Sequence, residues 1–214
     1  TDIDDDISAF ISNPMEHAEA SKIALFSIAD YAWNMDAYKS DASWRRAVRY
    51  LMPGHAAALQ VFASHNSDLG GNEHDFRREE SEQIRPALER LLDAYCREGK
   101  REVAAASAVT EECERMIASA DLLLASDENP ALIKEISPWL IQFKLLGEYG
   151  REVLCMLAAQ CDGKKTELEK AASHAKALQV LMKKIDATYN QNGFQPGVKT
   201  GSCHLKPAFD RLYQ

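Results

Sequence analysis

The sequence predicts an all-α protein, a multi-helix bundle. Three observations lead there. Apolar residues recur at three- and four-residue spacings along most of the chain, the mark of helices with one buried face. The periodic stretches are punctuated by helix-start and helix-stop signals such as Asn13-Pro14, Pro53-Gly54, Asn129-Pro130 and Lys206-Pro207. Alternating β-branched runs bounded by turns are missing, apart from a short apolar piece at 7–11 that reads as a strand end or a linker.

The elements follow in order. Residues 1–12, TDIDDDISAFIS, pass from acidic to apolar. Asp4, Asp5 and Asp6 read as a solvated lead-in, because a catalytic carboxylate pair needs a strand or pocket to position it. A helix is expected from Asn13 to Trp33. Asn13 is a good N-cap, Pro14 suits the first helical position and Glu16 completes a capping-box arrangement. Leu25, Ile28, Ala29 and Ala32 form one stripe, and Ile23, Phe26 and Trp33 widen it. A helix apolar over so much of its circumference is predicted to be central, with 23–33 in the core.

A second helix is expected at 43–51, stopped by Met52-Pro53-Gly54, and a third at 55–65. A polar loop follows to Ser81. A fourth helix at 81–97 places Ile84, Leu88, Leu91 and Tyr95 on one face, and a fifth at 110–125 turns Cys113, Met116, Ile117, Ala120 and Leu124 inward. Asn129 caps the next helix, with Pro130 in its first turn. Pro138 is expected to break or restart that helix, since it lacks an N–H and clashes with the preceding turn. Beyond it, Trp139, Phe143, Leu146, Gly150, Val153 and Leu157 continue as a stripe. A seventh helix at 165–189 has Ala171, Leu178, Leu181 and Ile185 inward. Residues 190–201 are turn-rich, and a last short helix starts near Lys206-Pro207.

At 214 residues and 46% hydrophobic content, the chain can bury a core without disulfides or metal. The net charge of -8, with basic residues no more clustered than pairs such as Arg45-Arg46 and Lys183-Lys184, argues against nucleic acid as a partner. No apolar run reaches membrane-spanning length. No signal peptide is visible, but the chain begins at Thr1 and looks like a processed or excised segment, so its compartment is unknown. The five cysteines include no CxxC pair. Cys113 and Cys155 fall in apolar helical patterns and are expected to act as small buried hydrophobes.

Candidate chemistry is sparse. No histidine belongs to an HExxH motif, and no GxSxG elbow occurs. His65 and His74 flank a loop carrying Asp68, Glu73 and Asp75, a set able to hold a cation. Its spacing departs from the calcium-loop pattern, and an ordered structural loop is the simpler reading. Arg77 and Arg78 could clamp a carboxylate or phosphate, but they more simply pair with neighbouring acids at the start of the fourth helix. These residues give no catalytic group, no metal site and no cofactor site within the chain.

Four stretches in register carry a family resemblance. They are NPMEHAEASKIALFSIADYAWN from Asn13, HNSDLGGNEHDFRREES from His65, EISPWLIQFKLLGEYG from Glu135 and NQNGFQPGVKT from Asn190. Together they resemble glycoside hydrolase family 84, which includes bacterial O-GlcNAcases, β-N-acetylglucosaminidases and hyaluronidase-like proteins, and look most like gut Bacteroides enzymes. The resemblance implies a post-catalytic helical bundle at 13–214, with 1–12 as the last stretch of a catalytic barrel's connection. It implies that the parent removes β-linked N-acetylglucosamine from glycans or glycoproteins, using the substrate's own acetamido group as nucleophile, and that it is periplasmic or secreted. The family's adjacent catalytic aspartates would lie upstream, and Asp4 to Asp6 are not that pair. Asn13 matches a family residue that hydrogen-bonds sugar hydroxyls, and is the substrate-binding candidate. The partners implied are the catalytic barrel in cis and, as an option for such bundles, a second copy. The alternative is an independent protein- or glycan-binding scaffold module.

Overall fold

A computed structural model describes residues 9, 11–13, 17–66, 79–189 and 197–214. Among them are eight α-helices and no strand: α1 (Ala18–Trp33), α2 (Ser40–Leu51), α3 (Ala56–Ser64), α4 (Arg85–Glu98), α5 (Val103–Leu124), α6 (Pro130–Cys161), α7 (Lys165–Tyr189) and α8 (Leu205–Tyr213). The all-α bundle expectation holds. The apolar piece at 7–11 lies largely outside the described residues.

The long helix α6 forms the axis. It packs against α5 on one side and α7 on the other, and meets α8 and α1 at its flanks. α3 and α4 close over α5, and α2 links α1 to α3. On α6, Leu140, Phe143, Leu146, Tyr149 and Val153 are fully buried. Each such side chain contributes about 1.5–3 kcal/mol relative to exposure. Two glycines let neighbours approach. A Cβ on Gly147 would sit 2.9 Å from the Cys113 carbonyl oxygen, and one on Gly150 would sit 2.5 Å from the Phe209 ring, so α5 and α8 both lie against bare backbone.

Several expectations are corrected. Pro138 does not break α6, which runs unbroken through it. A proline at 138 leaves the Lys134 carbonyl without its helical donor. The Ser137 hydroxyl donates to that carbonyl at 3.3 Å, and packing on both flanks holds the helix together. Helix α5 starts at Val103, well before the expected 110, because the Glu102 carboxylate caps it by accepting from the Ala105 N–H. Conversely, α4 starts only at Arg85, after a turn at 80–84. On α7 the inward residues are Ala171, Ala175 and Met182, and Leu181 is 48% exposed. The buried face is thus one residue away from the predicted one at that point. Cys113 is buried as expected, and burial pushes its thiol far above its ordinary pKa, whereas Cys155 is exposed.

The largest correction concerns α1. Predicted as central, it contributes only Ser21 as a buried residue, and Trp33 is 91% exposed. It packs on α2 and α6 at the edge of the bundle.

Candidate functional site

Asn13 lies in irregular, exposed chain ahead of α1. It does not cap the helix. The N-cap is His17, whose side chain makes no capping hydrogen bond. The capping-box partners Pro14 and Glu16 lie outside the described residues. The first N–H groups of α1 find their acceptor elsewhere in the chain: Glu19 and Ala20 donate to the Glu135 carboxylate on α6, at 2.9 and 3.1 Å. A carboxylate at a helix N-terminus satisfies orphan donors and opposes the positive end of the helix dipole. The His17 ring also meets Trp139 edge-on, with centroids 5.2 Å apart. The start of α1 is therefore fastened to α6 by Glu135 and Trp139.

A second polar centre joins four segments. Glu80 is fully buried. Its carboxylate accepts from the backbone N–H groups of Cys203 at 2.7 Å, His204 at 3.0 Å and Leu205 at 3.1 Å, closing the N-terminal end of α8. Beside it, His65 Nε2 donates to Glu112 on α5 at 2.8 Å, while His65 Nδ1 and the Ser81 hydroxyl share a 2.7 Å hydrogen bond. The Gly201 N–H donates to the His65 carbonyl, and Ser81 N–H to the Ser64 carbonyl. Burial opposes the charge on Glu112. The hydrogen bond and charge of His65, with Arg115, outweigh it and hold the carboxyl below its ordinary value.

A chain of contacts from serine to histidine to glutamate has the composition of an activated nucleophile. Access decides against it here. Ser81 and His65 are each at most 2% exposed. The adjoining cavity, bordered by Ser64, Glu82 and Ile84, is about 30 Å³, enough for water but not for an acyl or glycosyl group. The centre is a structural clamp between the end of α3, the turn at 80–84, α5 and the entry to α8. The cation reading of the 65–80 loop meets the same fact at its described ends, since His65 and Glu80 are already engaged. Asp68, Glu73, His74, Asp75, Arg77 and Arg78 lie outside the described residues. Among the described residues, no group of three or more His, Cys, Asp or Glu is placed to hold a metal ion.

A cleft of about 480 Å³ lies between α7, α8 and the connection at 198–202. Gln142 on its floor donates to the carbonyls of Met182 and Val198, which leaves its Oε1 unpaired, as are Asp186 Oδ1 and Thr200 Oγ1. Glu80, Glu112 and Glu135 carry these arrangements, and sequence reasoning singles out none of them for such roles. Their partners are too distant in sequence to leave a local signal.

The chain matches known proteins along most of its length. A family model described as the bacterial GH84 post-catalytic domain matches residues 80–213, and one described as beta-N-acetylglucosaminidase matches 1–64. Among solved structures, CpGH84D is 28% identical with a TM-score of 0.77, over 94% of this chain and 33% of that one. CpGH84B is 21% identical with a TM-score of 0.79, over 96% of this chain and 34% of that one. A mutant of the Thermobaculum terrenum O-GlcNAc hydrolase is 19% identical with a TM-score of 0.68, over 94% of this chain and 40% of that one. The chain thus spans about a third of the length of the first two. No described helix is long and apolar enough to cross a membrane. With the post-catalytic model covering most of the bundle, the chain belongs to the family of bacterial GH84 post-catalytic helical domains.

Proposed function

We propose that this chain is the non-catalytic helical domain of a retaining β-N-acetylglucosaminidase, whose substrate supplies its own acetamido nucleophile, and that it supports the catalytic barrel and the edge of the sugar site. The observation that carries this reading is the succession of matches: an enzyme-family model on 1–64 runs into a post-catalytic model on 80–213 in one polypeptide. Within it, the core is continuous from α2 to α8, so the two matched parts are mechanically joined. In this reading residues 1–12 end the barrel connection and 13–214 form the bundle.

Asn13 is the residue assigned to the sugar. Its amide offers two donors and an acceptor, which suits a pair of vicinal hydroxyls. Its exposure, and the anchoring of α1 behind it by Glu135, support the role. A positioned amide of this kind acts by orientation and contributes through hydrogen bonds that tighten in the transition state. The test is hydrolysis of p-nitrophenyl N-acetyl-β-D-glucosaminide by the full-length parent, its Asn13→Ala variant and the 214-residue chain alone. The parent should turn over, the variant should lose roughly tenfold to a hundredfold in kcat/KM, and the isolated chain should be inactive. Turnover by the isolated chain, or an unaffected variant, would contradict the proposal.

A further inference from the structure

We infer that the cleft between α7, α8 and the connection at 198–202 is a binding site for a small neutral polyhydroxyl molecule, the size of a mono- or disaccharide. Its lining does not include Asn13, and the inference does not depend on the glycosidase reading above.

Unpaired polar atoms gather there. Of the four buried side-chain polar atoms without a hydrogen-bond partner among the described residues, three belong to residues that line this cleft: Gln142 Oε1, Asp186 Oδ1 and Thr200 Oγ1. Gln142 is 5% exposed and Thr200 3%. A buried acceptor without a partner has given up its water and gained nothing in return. The Gln142 amide cannot turn to relieve this, because its Nε2 is held by the carbonyls of Met182 and Val198 at 3.2 and 3.3 Å. The connection also presses on Asp186. Gly197, at a φ of 84°, brings bare backbone so close to the Asp186 carboxylate that no Cβ would fit. Tyr149 on α6 ties α7 to α8. Its buried hydroxyl donates to Asp210 at 3.0 Å and accepts from Gln179 Nε2 at 2.7 Å. The polar groups are thus set in place before any ligand arrives, and Met182, Val198, Pro207 and Tyr213 add the apolar lining usual in small-molecule sites.

The charges of the lining select the ligand. Asp186, Asp210 and the Gln142 carbonyl oxygen repel an anion, whereas Lys183, Lys199 and Lys206 repel a cation or an amine. Lys206 and Asp210 neutralise each other across 2.5 Å. What remains calls for donors at Gln142 and Asp186 and for acceptors at Lys183 and Lys199, and Thr200 serves either way. A zwitterion would have to shed the water of two full charges. A hydroxyl is donor and acceptor at once and carries no charge, so a molecule bearing several of them meets both demands. Seating it asks only for side-chain rotation at Thr200 and Asp186, which already belong to the lining. The volume of about 480 Å³ falls within the roughly 300–1,000 Å³ usual for small-molecule sites. The stretch beginning at Asn190, one of the four that carry the family resemblance, supplies Val198, Lys199 and Thr200 to this lining.

The test is saturation-transfer NMR on the full-length parent with two probes, methyl β-D-glucopyranoside and sorbitol, neither of which carries an acetamido group. Transfer to at least one is expected, and which one responds tells a ring from an open chain. Thr200→Val should weaken that binding about fivefold or more, the loss of one hydrogen bond, while Thr200→Ser, which keeps the hydroxyl, should bind as the wild type does. Binding should persist in Asn13→Ala. No transfer to either probe would overturn the inference, as would equal affinity in the wild type and Thr200→Val. Binding lost in Asn13→Ala but kept in Thr200→Val would put the probe in the substrate site, and would overturn it as well.

Discussion

Glu80 is the residue whose removal should cost the bundle most for its size. It is fully buried and accepts three backbone N–H groups at the start of α8, at 2.7, 3.0 and 3.1 Å. A hydrogen bond to a charged group is worth about 1.5–3 kcal/mol, and a buried donor left unpaired costs about 1–3 kcal/mol. Glu80→Ala orphans all three donors. Water reaching the new cavity recovers part of the loss, so the net cost is about 3–5 kcal/mol. Against a total stability of about 5–15 kcal/mol, that is about a fifth or more. At about 2–4 °C per kcal/mol for a domain of this size, the melting temperature should fall by about 6–20 °C. Glu80→Gln keeps the volume and one acceptor oxygen but turns an NH₂ toward a backbone donor, so about half of that loss should remain. The assay is thermal melting followed by circular dichroism at the helix band, with hydrogen exchange read at α8. A shift below about 2 °C for Glu80→Ala would refute the assignment. A neutral Glu80→Gln would show that the carboxylate's charge plays no part.

Other consequences are equally checkable. Gly150→Ala gains about 0.5–1 kcal/mol of helix propensity but drives a methyl to within 2.5 Å of the Phe209 ring. The clash should win, for a net loss of about 1–2 kcal/mol in urea unfolding, and a stabilised variant would contradict the packing of α6 on α8. Because Glu112 has a lowered pKa in the folded state, its ionised form stabilises the fold above the ordinary carboxylate range, and that stability is lost as pH falls through the lowered value. The stability gap between wild type and Glu112→Gln should be steady near neutrality and close on acidification, whereas a gap that widens on acidification would reverse the sign. Glu135→Ala should speed hydrogen exchange at the first turn of α1 with little change in global melting, since α1 buries so little. Thr200→Val replaces an unpaired buried hydroxyl with a methyl and should be neutral or stabilising by up to about 1 kcal/mol. A clear destabilisation would mean that the hydroxyl has a partner.

Much of the fold is legible in the sequence because its punctuation is local. Asn129 and Pro130 start α6 as expected, with the Leu132 N–H donating to the Asn129 side chain at 3.1 Å. The limits of α7 match the expected 165–189, and α8 starts beside Pro207. The departures come from partners that local patterns do not encode. Pro138 looks like a breaker until the Ser137 hydroxyl is seen on the freed carbonyl. The acceptor for the start of α1 lies on α6, so the cap expected of Asn13 is not made. The apolarity of α1 is plain in the sequence and its location is not, because apolar spacing marks a helix without saying where in the bundle it packs. The polar clamp around Glu80 depends on residues more than a hundred positions away and leaves no trace in spacing. The family resemblance, by contrast, is legible from four motifs, and the family match agrees with it.

The most direct test is a crystal structure of the full-length parent with N-acetylglucosamine bound. Asn13 should lie within about 3 Å of a sugar hydroxyl, and α1 should still be held by Glu135. A sugar bound far from Asn13 would contradict the role of Asn13 and the support of the sugar-site edge by this chain.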